Sequence, residues 1–364
     1  MTATLSARSA LLALLLAAPA TWAAWPDTAT STSEILPRAA NALLLDGLRM
    51  DDGRLLVVGE RGHVLLSDDL GATWSQAATP TRATLTAVAG HGTRLVAGGH
   101  DGVLLHSADG GATWARVREM PWDPASDDPT SGAPVLDILF LDADRVLAIG
   151  AYSLLLESND GGATWQQHEL QAHGQPGAAD EPAETADDAD GIDDGGDPLL
   201  FDESELMLDA EEDPHLNAIA RLDSGRLFIV AERGAGFVSD DDGATWRRTS
   251  LPYDGSMFGL LPLDQARVLA FGLRGNALIS EDEGDTWTPV ETGTDLSLFG
   301  GARRGGGIVL VGANGLLLEG DAGARGFRAT TLAEAGVLAA VIDLGADGVL
   351  LLGEYGQVRH GGQP

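Results

Sequence analysis

Residues 99–114 read GHDGVLLHSADGGATW, and the second half of that stretch, Ser107 to Trp114, recurs along the chain. The pattern Ser-x-Asp-x-Gly-x-Thr-Trp stands at Ser67 to Trp74, Ser107 to Trp114, Ser158 to Trp165, Ser239 to Trp246 and Ser280 to Trp287. Self-similarity near a 40-residue period is the signature of an array of identical structural units. Around the quoted stretch the unit contains four short runs: Leu85 to Val88, Arg94 to Ala97, Val103 to Ser107 and Trp114 to Val117, parted by glycine-rich turns. Such punctuation predicts a four-stranded antiparallel meander.

Each residue of the octapeptide has a mechanical task. The acids Asp69, Asp109, Asp160, Asp241 and Asp282 can accept backbone N–H groups and close a turn, and the glycine two places later supplies positive φ. Trp74, Trp114, Trp165, Trp246 and Trp287 each open a fourth strand with a large ring that can pack between units. The octapeptide matches the Asp box of certain β-propellers, and its expected role is structural.

Spacing then gives the number of units. Trp74 to Trp114 spans 40 residues, Trp246 to Trp287 spans 41, and a degenerate copy at Glu319 to Phe327 follows 40 residues after Trp287. The longer gaps, 51 residues before Trp165 and 81 before Trp246, hold no extra glycine-punctuated apolar pair and read as insertions. A last unit from Val337 to Val358 lacks a fourth run, which residues 33–38, with Ile35 and Leu36, are expected to contribute. The expectation is an all-β, seven-bladed propeller of four-stranded antiparallel blades over residues 25–364, closed by an N-terminal strand that removes the exposed edge.

Residues 1–24 carry Arg8, the apolar run Ala10 to Ala18 and small residues at Ala20, Ala23 and Ala24. This is the pattern of a secretory signal peptide, so the mature chain is expected to be exported to the periplasm, without direct insertion in a membrane. There is no cysteine, so neither a disulfide framework nor a thiolate metal site is available. All 22 basic residues are arginine, and 55 acidic residues bring the formal charge to −33, which disfavours nucleic acid as a partner. Residues 180–213 concentrate 16 of the acids with no base, so residues 173–213 read as a disordered acidic insertion between blades 3 and 4. Its aspartates only loosely resemble a calcium loop, and neither metal nor cofactor is assigned.

The octapeptides occupy the face of the strand 1–2 and 3–4 turns. The strand 2–3 turns and both insertions, at Met120 to Pro134 and in the acidic segment, belong to the other face. The tips of those 2–3 turns are Glu60-Arg61, His100-Asp101, Ala151-Tyr152, Glu232-Arg233, Leu273-Arg274, Ala313-Asn314 and Glu354-Tyr355. Exposed tips are ordinarily polar, but Arg and Tyr at one repeated position are also the chemistry of recognition. Glu60, Arg61, His100, Asp101, Tyr152, Glu232, Arg233, Arg274, Asn314, Glu354 and Tyr355 are therefore the candidate binding residues.

Sialidases also carry Asp boxes, and Arg61, Arg233 and Arg274 with Tyr355, Glu354 and Asp101 could be cast as their arginine triad, nucleophile pair and acid. The Arg-Ile-Pro segment near the start of those enzymes is absent here, and their fold has six blades. A sialidase-like or other glycan-binding or glycan-hydrolysing propeller is thus the alternative, and no catalytic residue is assigned. No other motif for nucleophilic, metal-assisted or phosphate chemistry occurs.

With a signal peptide, seven short blades, and stretches such as GERGHVLLSDDLGATW (59–74) and GHDGVLLHSADGGATW (99–114), the chain resembles the photosystem II stability and assembly factor family over about residues 33–364. The resemblance implies a non-catalytic, monomeric accessory or assembly scaffold for a membrane protein complex. Oxygenic members work in photosynthesis in the thylakoid lumen and carry an arginine-rich patch for their client. This chain is acidic and adds the 173–213 insertion, which points to a non-photosynthetic bacterial member with another client, such as an inner-membrane transporter.

Overall fold

The computed structural model describes residues 28–170, 172–173 and 213–361; the expected signal peptide and nearly all of the acidic insertion lie outside them. Seven antiparallel sheets follow one another along the chain and form a seven-bladed β-propeller. Blades 1, 2, 3, 5 and 6 have four strands each. Blade 4 gains a short fifth strand, Ala172–His173, parallel to its outer strand Trp246–Ser250, and blade 7 has three described strands. No helix among the described residues is long and apolar enough to cross a membrane.

The octapeptide performs the expected closure with the same atoms in each copy. In blade 1 the Ser67 hydroxyl donates to Asp69 Oδ1 at 2.8 Å and accepts from the Gly71 N–H, while Asp69 accepts from the Thr73 N–H and hydroxyl at 2.8 and 2.6 Å. The Trp74 indole N–H donates to the Gly71 carbonyl. Asp109, Asp160, Asp241 and Asp282 repeat the carboxylate bonds. Trp246 departs from the pattern, its buried indole N–H lacking a partner. Bonding from Thr73 and Thr113 holds Asp69 and Asp109 down at a pKa of about 2.

The glycine is required twice over. Gly162 has φ +96°, and a Cβ there would lie 2.3 Å from Val96 of the preceding blade; Gly284 (φ +90°) would meet Phe228 at 2.6 Å. Close approach of each turn to the blade before it seats the next tryptophan. Seven apolar clusters result, one per blade interface. Trp114 lies between blades 1 and 2, Trp165 between 2 and 3, Trp246 between 3 and 4, Trp287 between 4 and 5, Phe327 between 5 and 6, and Trp74 between 7 and 1. The interface of blades 6 and 7, which no octapeptide serves, is filled by aliphatic residues such as Val309, Leu317 and Leu351.

Closure of the ring differs from the expected strand exchange. Residues 33–38 form no strand and do not pair with the last strand of blade 7, Gly356–His360. They run instead beside the outer strand of blade 1, Ser75–Ala77. Gln76 accepts the Leu36 N–H and donates to the Glu34 carbonyl, both at 2.8 Å, and Ser33 bonds Thr79 through backbone and hydroxyl. Ile35 stays 60% exposed, whereas Leu36, Ala39 and Ala40 pack against the apolar cluster at the seam of blades 7 and 1 without forming a strand. The seam between blades 7 and 1 is joined by side chains, with Leu44, Leu55, Val57 and Leu65 against Ile342, Leu350 and Leu352.

Candidate functional site

The innermost strand of every blade starts at the face of the 2–3 turns, because its first residue pairs with the last residue before that turn, as Leu44 does with Gly59. Each of the seven carries a β-bulge one residue in, at Leu45, Thr86, Leu136, Asn217, Phe258, Phe299 and Ala339. A bulge leaves a residue unpaired and re-aims the side chains beside it. Here seven bulges ring a cavity of about 340 Å³ in the central channel.

Polar members of this ring tie neighbouring blades together. Asp46 accepts the Val88 N–H from blade 2, and Asp137 accepts the Ile219 N–H from blade 4. The Thr86 hydroxyl donates to the Val135 carbonyl, and the Asn217 amide to the Met257 carbonyl. The opposite wall is aromatic, with Phe258 and Phe299 rings 5.5 Å apart. Burial, partly offset by the backbone bonds, raises the pKa of Asp46 to about 7 and of Asp137 to about 6.

The candidate tips surround this mouth on the same face, one to a blade. Arg61, Asp101, Tyr152, Arg233, Arg274 and Asn314 share one backbone conformation, φ +54 to +56°. In blade 7 Gly356 takes the positive φ (+90°), next to Tyr355. Asn and Asp tolerate this left-handed region, but Arg and Tyr are poorly suited to it. Arg61, Arg233 and Arg274 are exposed, and none forms an ion pair among the described residues. Tyr152 stacks edge-on with His215 at 4.8 Å, and His215 in turn lies 3.5 Å from Glu232. Tyr355 is bonded by Glu354, which pushes its phenol pKa up and keeps it a donor. Asp101 accepts from the Thr28 hydroxyl, and its carbonyl holds Met120 at the start of the first insertion. Glu60 and His100 sit in the short 3-10 turns Glu60–Gly62 and His100–Gly102.

The two insertions meet at blade 3. Asp128 to Thr130, Tyr152, Gln167 to Leu170 and Asp213 line a hollow of about 510 Å³ beside the end of blade 3 and the residues that lead into blade 4. Arg61, Arg233 and Arg274 stand on blades 1, 4 and 5. The structure brings the tips to one face, each on its own blade. Asp46, Thr86, Asp137 and Asn217 escaped the sequence reading because only the bulge register aims them into the channel. The available signal was an aliphatic residue followed by Leu-Asp in the same place in blades 1 and 3, Leu44-Leu45-Asp46 and Val135-Leu136-Asp137.

No protein-family profile and no curated protein sequence matches the chain. Solved structures do. YCF48 bound to a D1 peptide matches with a TM-score of 0.61 at 16% identity, covering 94% of this chain and 97% of that one. YCF48 from Cyanidioschyzon merolae gives 0.60 at 15% identity, with 90% and 97% covered. The WD40 β-propeller domain of Doa1 gives 0.59 at 14% identity, with 91% and 95% covered. At these identities the likeness is one of fold.

Proposed function

We propose that this chain is an exported, non-catalytic propeller that binds a protein partner on the face of the 2–3 turns and serves as an assembly or accessory scaffold for a membrane protein complex. The carrying observation is the set Arg61, Arg233 and Arg274: exposed, without an ion pair among the described residues, and held in an unfavourable backbone region at one repeated position. In a chain of 55 acids and 22 arginines, other arginines readily find carboxylates, as Arg54, Arg94 and Arg226 do. Leaving these three free suits recognition of acidic or carboxylate-bearing protein surface. Tyr152 and Tyr355, both exposed, add apolar anchors with polar ends. That YCF48, of the same fold, has been seen with a bound D1 peptide supports a propeller of this build as a peptide holder. The resemblance to the photosystem II assembly factor family and the signal-like start support an exported scaffold, with an inner-membrane complex as client.

The test is capture from detergent-solubilised membranes by the purified chain, by a triple Arg61, Arg233 and Arg274→Ala variant, and by Ala72, Ala112 and Ala163→Glu on the octapeptide face. The two triples change net charge equally. Recovery of one specific membrane protein by the parent and the octapeptide-face variant, lost with the arginine triple, is expected. Equal recovery by all three, or none by any, contradicts the reading; binding on a glycan array instead supports the glycan alternative.

A further inference from the structure

The bulge ring has an unbalanced hydrogen-bonding inventory. Among its lining side chains the polar ones are Asp46, Thr86, Asp137 and Asn217, and no Arg, Lys or His faces the cavity. Most of their donors are engaged by neighbouring blades: the Thr86 hydroxyl by Val135 and one of the two Asn217 amide hydrogens by Met257. Acceptors are left over. Each oxygen of Asp46 and of Asp137 takes one backbone N–H, from Gly47 and Val88 and from Ile138 and Ile219. Every such oxygen has capacity for a second donor, and the Asn217 carbonyl oxygen has no donor among the described residues. Across the cavity, Phe258 and Phe299 offer ring faces, the surface that a cation with an aliphatic arm also favours. At about 340 Å³ the space is at the small end of ligand pockets and takes one amino-acid side chain.

We propose that the mouth of the central channel is a subsite for an alkylammonium or guanidinium group, presented as a Lys or Arg side chain of the partner, with its charge between Asp46 and Asp137 and its aliphatic arm against Phe258 and Phe299. This deepens the reading of the turn face as a protein-binding surface and rests on it. The rim arginines and the channel carboxylates then make a two-part code: acidic groups of the partner meet the tips, and one basic side chain enters the centre. Because burial raises Asp46 to about 7 and Asp137 to about 6, entry of a cation at pH 7 expels protons, chiefly from Asp46.

The probes are n-butylammonium, a capped pentapeptide with one central lysine, and its norleucine counterpart, titrated calorimetrically at pH 7 in two buffers of different ionisation enthalpy. The ammonium probes are expected to bind with proton release and the norleucine peptide to bind at least about tenfold more weakly. Asp46→Asn and Asp137→Asn, checked for an intact fold by melting and circular dichroism, are expected to lose about tenfold in affinity and to release fewer protons. A lysine peptide that outbinds n-butylammonium identifies a protein side chain as the source, and equal binding identifies a free amine; either upholds the cation site. Equal affinity for norleucine and lysine peptides, no binding of either cation, or proton release unchanged in both variants overturns it. A membrane partner captured while all probes fail removes the subsite and leaves the binding face standing; probe binding without a captured partner does the reverse.

Discussion

Single residues divide into those that close turns and those that face the channel, and titration separates them. Asp69 and Asp109, held near a pKa of 2, contribute stability that is complete above the ordinary value of 3.8 and lost as pH falls through about 2. Asp46 and Asp137 have the opposite sign. Their raised values mean a contribution complete below 3.8 and lost as pH rises through about 6 to 7. His63 and His106, whose burial lowers their pKa, oppose this by losing stability below 6.5. Comparison with a variant cancels the histidines: Asp46→Asn is expected to narrow the melting-temperature difference between pH 5 and pH 8, and an unchanged difference would contradict the assignment. Glycine provides a second residue-scale test. Gly162→Ala adds left-handed strain to a collision with Val96 and is expected to cost about 2–5 kcal/mol in chemical denaturation. Gly53, at φ +88° in open space, carries the strain alone, so Gly53→Ala should cost about 1–2 kcal/mol.

Elements show where sequence reading succeeds and where it stops. The octapeptide was legible because it is a complete local device: Ser, Asp, Gly and Thr satisfy one another within eight residues, and the tryptophan needs only a neighbouring blade. Trp114, 8% exposed between blades 1 and 2, is expected to cost about 3–5 kcal/mol when replaced by Ala. An unchanged melting temperature would refute its anchoring role. The closing strand was misread because Ile35 and Leu36 read as an apolar pair, yet only Leu36 packs into the seam, and Gln76, forty residues away, fixes where that segment lies. Gln76→Ala is therefore expected to speed amide exchange at residues 33–36 while leaving Gly356–His360 of blade 7 as protected as before. Faster exchange in blade 7 would restore the strand-exchange view. The bulges were illegible for another reason: they are defined by register against a second strand, which spacing along one strand does not reveal.

At the scale of the whole molecule the two faces of the ring do different work. One is built from five near-identical turns whose polar groups are consumed internally, leaving little with which to recognise anything. The other carries diverse tips, both insertions and the mouth of a channel rich in unspent acceptors. Periodicity made the fold plain, and it also gave the alignment by which the tips could be compared. The proposed binding site lies where the repeats differ. The most direct test places a photo-crosslinking phenylalanine analogue at Tyr152 or Tyr355 on the turn face, and at Ala72 or Ala112 on the octapeptide face, followed by irradiation with solubilised membranes. The account predicts a discrete protein adduct from the two tyrosine positions and none from the two alanine positions; adducts from Ala72 or Ala112 with none from Tyr152 or Tyr355 would contradict it.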